Sequence, residues 1–225
     1  MRSVPPTTDA RRLATVSALM SYAAGAGDAF AFAQLGGVFT ANMTGSLVLA
    51  GLTSRPAYGS LVSGAATALG AFLIAVYAVS RATPGRPAPN WRRIRRVLWV
   101  VGGLNLALLA AIAAKPSPGS GLRLGMLAVS AAAMGAQTAA AKRYERSSGV
   151  TTTFVTGTLT SLAQDAADGS TDHAALRVVV VVMLVLGALT ASGAMSLDQR
   201  LGPAVAAAAT VVAALVFPPD GDRTP

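Results

Sequence analysis

The chain contains no cysteine. Disulfides, thiolate metal sites and cysteine nucleophiles are therefore excluded. It has a single histidine, His173, which argues against a histidine-built metal site. Charge is scarce as well: 12% of the 225 residues are charged, against about 25% in an ordinary soluble domain. So little charge cannot cover a water-facing surface. Hydrophobic residues make up 53% of the chain and mean hydropathy is +0.55. They come in long runs, and runs of about 18 or more apolar residues are candidate membrane spans. Acidic residues are half as many as basic ones, 9 against 18, which leaves a formal charge of +9. Nucleic acid is not the partner this implies, because the basic residues sit at the ends of apolar runs and not along one amphipathic face. The partner implied is the lipid bilayer. No cofactor is indicated.

What is present is a polar, glycine-containing stretch in the midst of residues suited to lipid: Val38-Phe39-Thr40-Ala41-Asn42-Met43-Thr44-Gly45-Ser46-Leu47. A weaker copy follows as Thr152-Thr153-Phe154-Val155-Thr156-Gly157-Thr158-Leu159. Thr40 matches Thr152, Thr44-Gly45 matches Thr156-Gly157, and Leu47 matches Leu159. Each half of the chain carries one such break.

Residues 1–12 are expected to form a cytoplasmic tail. Leu13 to Leu35 is longer than a signal-peptide core and contains Asp28, so it is expected to be a first transmembrane helix. Ser17, Ser21, Ala24, Gly25 and Asp28 share one helical face. Small residues there admit a neighbouring helix, so that face should point into the bundle. Gly36-Gly37 interrupts the helix, and Thr44 to Thr53 restarts a short one that Arg55-Pro56 ends. Leu61 to Val79 is a second span. Arg81 to Arg96 is expected to be a loop, with Trp91 and Trp99 marking the membrane interface. Val97 to Ala114 is a third span. Leu122 to Ala141 is a fourth, with Ser130, Ala133 and Gln137 on one face and Lys142, Arg143 and Arg146 at its end. Thr156 to Ala167 is a second short helix. Asp165, Asp168, Asp172 and His173 are expected in a solvated loop. Leu176 to Ser196 and Gly202 to Phe217 are the fifth and sixth spans, and 218–225 is a second cytoplasmic tail.

The expected fold is thus all-α: a polytopic membrane bundle of about six transmembrane helices, filling a single domain over 13–217. Cytoplasmic loops retain lysine and arginine. With six spans, 14 of the 18 basic residues fall on one side, which places both termini in the cytoplasm. Three spans per half makes the second half enter the membrane from the opposite side. The halves, about 13–114 and 122–217, then form inverted repeats, each with a broken or re-entrant polar segment. Many secondary transporters are built this way, with the substrate site where the breaks meet. Irregular backbone is tolerated in a bilayer only where protein or a water-filled cavity satisfies it, and exposed N–H groups at a half-helix start favour anions.

Gly27-Asp28-Ala29 followed by Leu35-Gly36-Gly37-Val38-Phe39-Thr40-Ala41-Asn42-Met43-Thr44-Gly45 resembles the hallmark of the YoaK-like bacterial membrane proteins, a family named only as a domain of unknown function. Met134-Gly135-Ala136-Gln137-Thr138-Ala139 and Thr151 to Leu159 are similar to its second half. Ser46 and Thr138 stand where the family pattern would place asparagine. The resemblance implies a six-span protein of the bacterial inner membrane and supplies no activity.

Asp28 is the single carboxylate deep in an expected span. A central charge costs about 2.5–3.5 kcal/mol on insertion scales, so it is a candidate protonatable coupling site. The alternative is a structural cap or interhelical bond. Thr40, Asn42, Thr44 and Gly45 are candidates for binding a solute or ion; the alternative is capping of the broken backbone. Gln137, Thr152, Thr156 and Gly157 are candidates from the second half, with structural roles as the alternative. Asn105 is expected to make an interhelical hydrogen bond. Gly64, Ala68, Gly187 and Ala191 suit close packing within the chain or in a homo-oligomer. The function these features indicate is a secondary transporter or channel for a small solute or ion. The alternative is a non-transporting membrane scaffold. An intramembrane enzyme comes third, because the chain lacks paired carboxylates and offers one histidine and no cysteine.

Overall fold

The computed structural model describes residues 8–84, 90–148, 155–169 and 174–218. Among them the chain forms eight α-helices, one short 3-10 turn and no strand. The helices are α1 (Thr8–Gln34), α2 (Met43–Gly51), α3 (Tyr58–Ala82), α4 (Trp91–Ala114), α5 (Ser120–Ser148), α6 (Val155–Ala167), α7 (Ala174–Leu197) and α8 (Gly202–Val216). The expected tail residues 1–7 and 219–225, and Asp172 and His173 of the expected loop, lie outside the described residues.

Five stretches are long and apolar enough to cross a membrane: α3, α4, residues 120–143 of α5, α7, and the segment Gln199–Val216 ending in α8. α1 is as long as these but is not among them. Ser17, Ser21, Gly25, Gly27 and Asp28 dilute its apolar content. Length divides the remaining helices sharply. α2 has 9 residues and α6 has 13. At 1.5 Å per residue they reach roughly 14 and 20 Å, short of a hydrocarbon core of about 30 Å. Each polar segment thus contributes residues to a helix too short to span a bilayer.

Large apolar side chains cover much of the outside of the bundle. Only 17% of the most apolar window of α3, and of α7, is buried within the protein. Leu73, Ile74 and Tyr77 on α3, and Val182, Val185 and Leu189 on α7, face outward. A soluble monomer does not display apolar patches of this extent. The protein is membrane-embedded.

α1 and α5 occupy the interior. Val16, Ala23, Ala26 and Ala31 of α1, and Leu127, Ala131, Ala133 and Ala140 of α5, are fully buried. α1 packs chiefly on α7 and α8, whereas α5 packs chiefly on α3 and α4; α4 meets α8, and α1 meets α5. Helix association in lipid lacks a hydrophobic driving force and relies on close van der Waals fit. Glycine supplies it here. A Cβ on Gly25 would fall inside 3.0 Å of the Leu184 carbonyl, and one on Gly187 would do the same to Tyr22. The α1 and α7 backbones thus touch at two reciprocal points. On the α3–α5 seam, Gly135 stands against the Phe72 carbonyl in the same way. Gly64 packs on Val38 and Leu127. The glycines expected at packing faces work within the chain.

Asn105 behaves as expected. Its Nδ2 donates to Thr210 Oγ1 at 3.0 Å across the buried α4–α8 contact, and the Thr210 hydroxyl donates to the Ala206 carbonyl. Such bonds are worth about 0.6 kcal/mol on average in a membrane protein. Asn105→Leu should therefore cost more than the paired change Asn105→Leu with Thr210→Val, which removes both polar groups together. A double-mutant cycle on thermal unfolding in detergent checks this.

Two expectations are corrected. The Arg81–Arg96 loop is shorter than expected, because α4 already starts at Trp91. Asn90 caps it, its side-chain oxygen accepting the Arg93 N–H at 3.1 Å. Arg92, Arg93, Arg95 and Arg96 are consequently helical. Arg93 also reaches back to the Ala82 carbonyl at 3.0 Å, which ties the end of α3 to the start of α4. Asp165 is not in a loop either: it lies in α6 and pairs with Arg177 of α7.

Candidate functional site

The site is built where α1 stops and α2 starts. Gly36 and Gly37 have φ of +118° and +74°, a region that side chains with a Cβ rarely adopt. The Gly37 N–H donates back to the Phe32 carbonyl at 3.1 Å, closing the wide turn with which many helices end on glycine. The chain then doubles back, and residues 38–42 run beside the last turns of α1. Phe39 stacks on Phe32 with ring centroids 5.0 Å apart.

Asp28 holds this non-helical run. Its Oδ1 accepts the N–H groups of Thr40 and Ala41, both at 2.7 Å, and its Oδ2 accepts that of Asn42 at 3.0 Å. The Thr40 hydroxyl donates to the same Oδ1 at 3.4 Å. Three consecutive amides, with no helix to bond to, thus converge on one carboxylate. The arrangement places the Asp28 carboxyl group at the positive start of α2. Thr40 is fully buried, and its hydroxyl also accepts from Ser130 of α5 at 3.2 Å. Asp28, Thr40 and Ser130 form a polar chain linking the break to the second half of the protein.

Around this chain the break is capped locally. The Asn42 side chain accepts the Gly45 N–H at 3.1 Å, as the N-cap of α2. The buried Ser46 hydroxyl accepts the Phe39 N–H and donates to the Phe39 carbonyl, both at 2.9 Å. Gly45 is required by space: a Cβ there would lie 2.9 Å from both Asn42 Nδ2 and the Phe39 ring. Thr44 is exposed.

The second-half candidates do not join this cluster among the described residues. Gln137 lies two turns of α1 away, where its Nε2 donates to the Met20 carbonyl at 2.8 Å; its buried Oε1 meets no partner among the described residues. Thr156 and Gly157 are exposed in the first turn of α6, which packs on α7. Thr152 lies outside the described residues. Two participants escaped the sequence reading as site residues. Ser130 shares a face with Gln137, and that spacing was its signal. Ser46 carried none, because its partners are backbone atoms.

One family's sequence profile, described as a protein of unknown function (DUF1275), matches residues 16–217. The chain belongs to the DUF1275 family. The match runs from the first buried turns of α1 to the end of α8, so the DUF1275 unit is the whole helical bundle. Asp28, both polar segments and Ser130 all lie inside it. The finer YoaK-like label rests on the quoted motifs alone. Comparison of this DUF1275 chain with curated proteins and with solved structures gives no match.

Proposed function

We propose that this DUF1275 protein is a transporter for a small solute, with Asp28 coupling the solute's movement to that of a proton. The observation that carries this reading is the grip of an intrabundle carboxylate on three successive amides of a broken helix. Discontinuous helices form the substrate and coupling-ion sites of many secondary transporters. Ionised, Asp28 accepts on both oxygens. A proton placed on Oδ2 turns that atom into a donor facing the Asn42 N–H. That bond then breaks, and the start of α2 is loosened. Charge at Asp28 thereby controls the position of a half-helix.

In this reading the chain makes six spans arranged as inverted repeats in the inner membrane, with both termini cytoplasmic. The pairing of helices supports it. If α1 to α4 correspond in order to α5 to α8, the seam of α1 with α7 becomes that of α5 with α3, and α1 with α8 becomes α5 with α4. Each of these contacts exists. The low hydropathy of α1 suits an inner helix, since α7, α8 and α5 shield it from lipid. Alternating access is then a rocking of one repeat against the other about the Asp28–Thr40–Ser130 chain.

A second reading, a non-transporting scaffold, is favoured by one observation. Two surface hollows of 370 and 260 Å³ among the described residues open beside arginines of α1 and α4, and neither of these is lined by Asp28, Thr40 or Asn42. Proteoliposomes containing a pH-sensitive dye separate the two. Under the transport reading, at least one solute of a broad metabolite and ion panel drives proton movement, and folded Asp28→Asn protein loses that movement by about 100-fold, the scale of a lost acid–base group. If Asp28→Asn retains both the flux and its pH profile, the coupling role is wrong. If well-folded wild-type protein moves nothing across the panel, the scaffold stands.

A further inference from the structure

The other concentration of unexplained chemistry lies at the opposite end of α1 from Asp28, and it does not depend on the transport reading. Arg92, Arg95, Arg96 and Trp99 are spaced three, four and seven residues along α4, which puts them on one helical face. They line the 260 Å³ cavity. Ile94 and Leu98, on the opposite face, are fully buried. Arg95 also lines the 370 Å³ cavity together with Arg12 of α1 and Leu215, Val216 and Phe217 at the end of α8. Arg95 is common to both hollows.

The protein itself offers little reason for this charge. The start of a helix carries positive partial charge, so arginines in the first two turns of α4 work against the macrodipole. Among the described residues, Arg12, Arg95 and Arg96 take part in no ion pair. Retention of positive charge on one side of a membrane accounts for the sign of these residues. It does not account for a cavity, nor for an indole at its edge. Trp99 is 42% exposed and Val100 58%, and both continue the arginine face toward the apolar outer surface of α4. A ligand filling the groove would meet guanidinium groups at one end and an apolar, lipid-facing wall at the other.

We propose that Arg92, Arg95, Arg96 and Trp99, with Arg12 beside them, bind the phosphate headgroup of an anionic phospholipid. Arginine suits phosphate because its planar fork donates two parallel hydrogen bonds. Trp99 sits at the level where an indole is half in lipid and half in water, and the acyl chain follows Val100 into the bilayer. A soluble phosphate shares the headgroup chemistry but gains nothing from the apolar wall.

The chain has two tryptophans, so Trp91→Phe leaves Trp99 as the sole indole reporter. The full chain with that substitution is placed in phosphatidylcholine nanodiscs doped with brominated-chain phosphatidylglycerol or with brominated-chain phosphatidylcholine. Bromine quenches tryptophan on contact. The anionic lipid should quench Trp99 about tenfold more effectively per mole than the zwitterionic one, in keeping with the attraction of several surface arginines. Excess inorganic phosphate should not relieve the quenching. The preference should vanish in Arg92→Gln/Arg95→Gln/Arg96→Gln and persist in Arg123→Gln, at the start of α5. Should the triple variant not fold, Arg95→Gln alone must lower the preference at least threefold, about one arginine's surface attraction. Equal quenching by the two lipids overturns the proposal, as does a preference that Arg95→Gln leaves undiminished. Relief by inorganic phosphate also overturns it, in favour of a soluble-anion site.

Discussion

Alanine at both Gly25 and Gly187 should leave almost no folded protein in detergent, whereas alanine at Gly70, Gly103 or Gly193 should leave the unfolding temperature unchanged or slightly raised. The difference is one of geometry. At Gly25 and Gly187 a Cβ would be driven into the backbone of Leu184 and of Tyr22, and no side-chain rotation can relieve that. At the three control positions nothing lies within 4 Å. Overpacking costs about 1–3 kcal/mol per site and occasionally more. The backbone-to-backbone case belongs at the upper end, so the pair removes about 6 kcal/mol from a total that is typically 5–15. The controls gain helix propensity of about 1 kcal/mol from the same substitution. Gly135→Ala, against Phe72, should resemble Gly25→Ala alone. Unfolding followed by size-exclusion recovery after heating reads all of these. A Gly25→Ala/Gly187→Ala protein as heat-resistant as the wild type would mean that α1 and α7 do not approach as described.

Asp28→Ala should destabilise by about 3–6 kcal/mol, with Asp28→Asn in between. The alanine side chain leaves three amides without an acceptor, and each orphaned donor costs about 1–3 kcal/mol when buried. Asn42 is exposed and regains water, so its share is small. Thr40 and Ala41 carry the loss. In Asp28→Asn the remaining oxygen still accepts from Thr40 and Ala41, but the new NH2 group faces the Asn42 N–H, donor against donor. Hydrogen exchange localises the effect: the Thr40 and Ala41 amides should exchange about 100-fold faster in Asp28→Ala, as a local loss of some 3 kcal/mol requires. Unchanged exchange at those two amides would sink the anchoring role.

The helices were legible because their signals are local. Long apolar runs bounded by Gly36-Gly37, Arg55-Pro56 and Pro116 gave α1, α3 and α4, and Thr44-Gly45 lies within the first turn of α2. The prolines and arginines of Arg81–Arg96 suggest a loop, yet Asn90 is a sound N-cap and the helix starts at Trp91. Asp28 was found because a carboxylate in an apolar run is conspicuous. Its partners were not, since they are main-chain amides that any residue would supply. The glycine contacts illustrate a further limit. Gly25 and Gly187 each stood out as small residues on a helical face. That they face each other's helices depends on α1 lying against α7, and no short-range pattern encodes so distant a pairing.

That distant pairing also bears on how the chain is made. α1 ends at Gln34, while its principal neighbour α7 begins at Ala174. At a synthesis rate of about 5–20 residues per second, on the order of ten seconds separate the two. Throughout that interval α1, which carries Asp28 and is not among the five stretches apolar enough to cross a membrane, waits without the surface that will cover it. Neither half of the chain can complete its own interior, because α1 needs α7 and α5 needs α3. A ribosome that stalls midway releases an unfinished object, not a smaller working one.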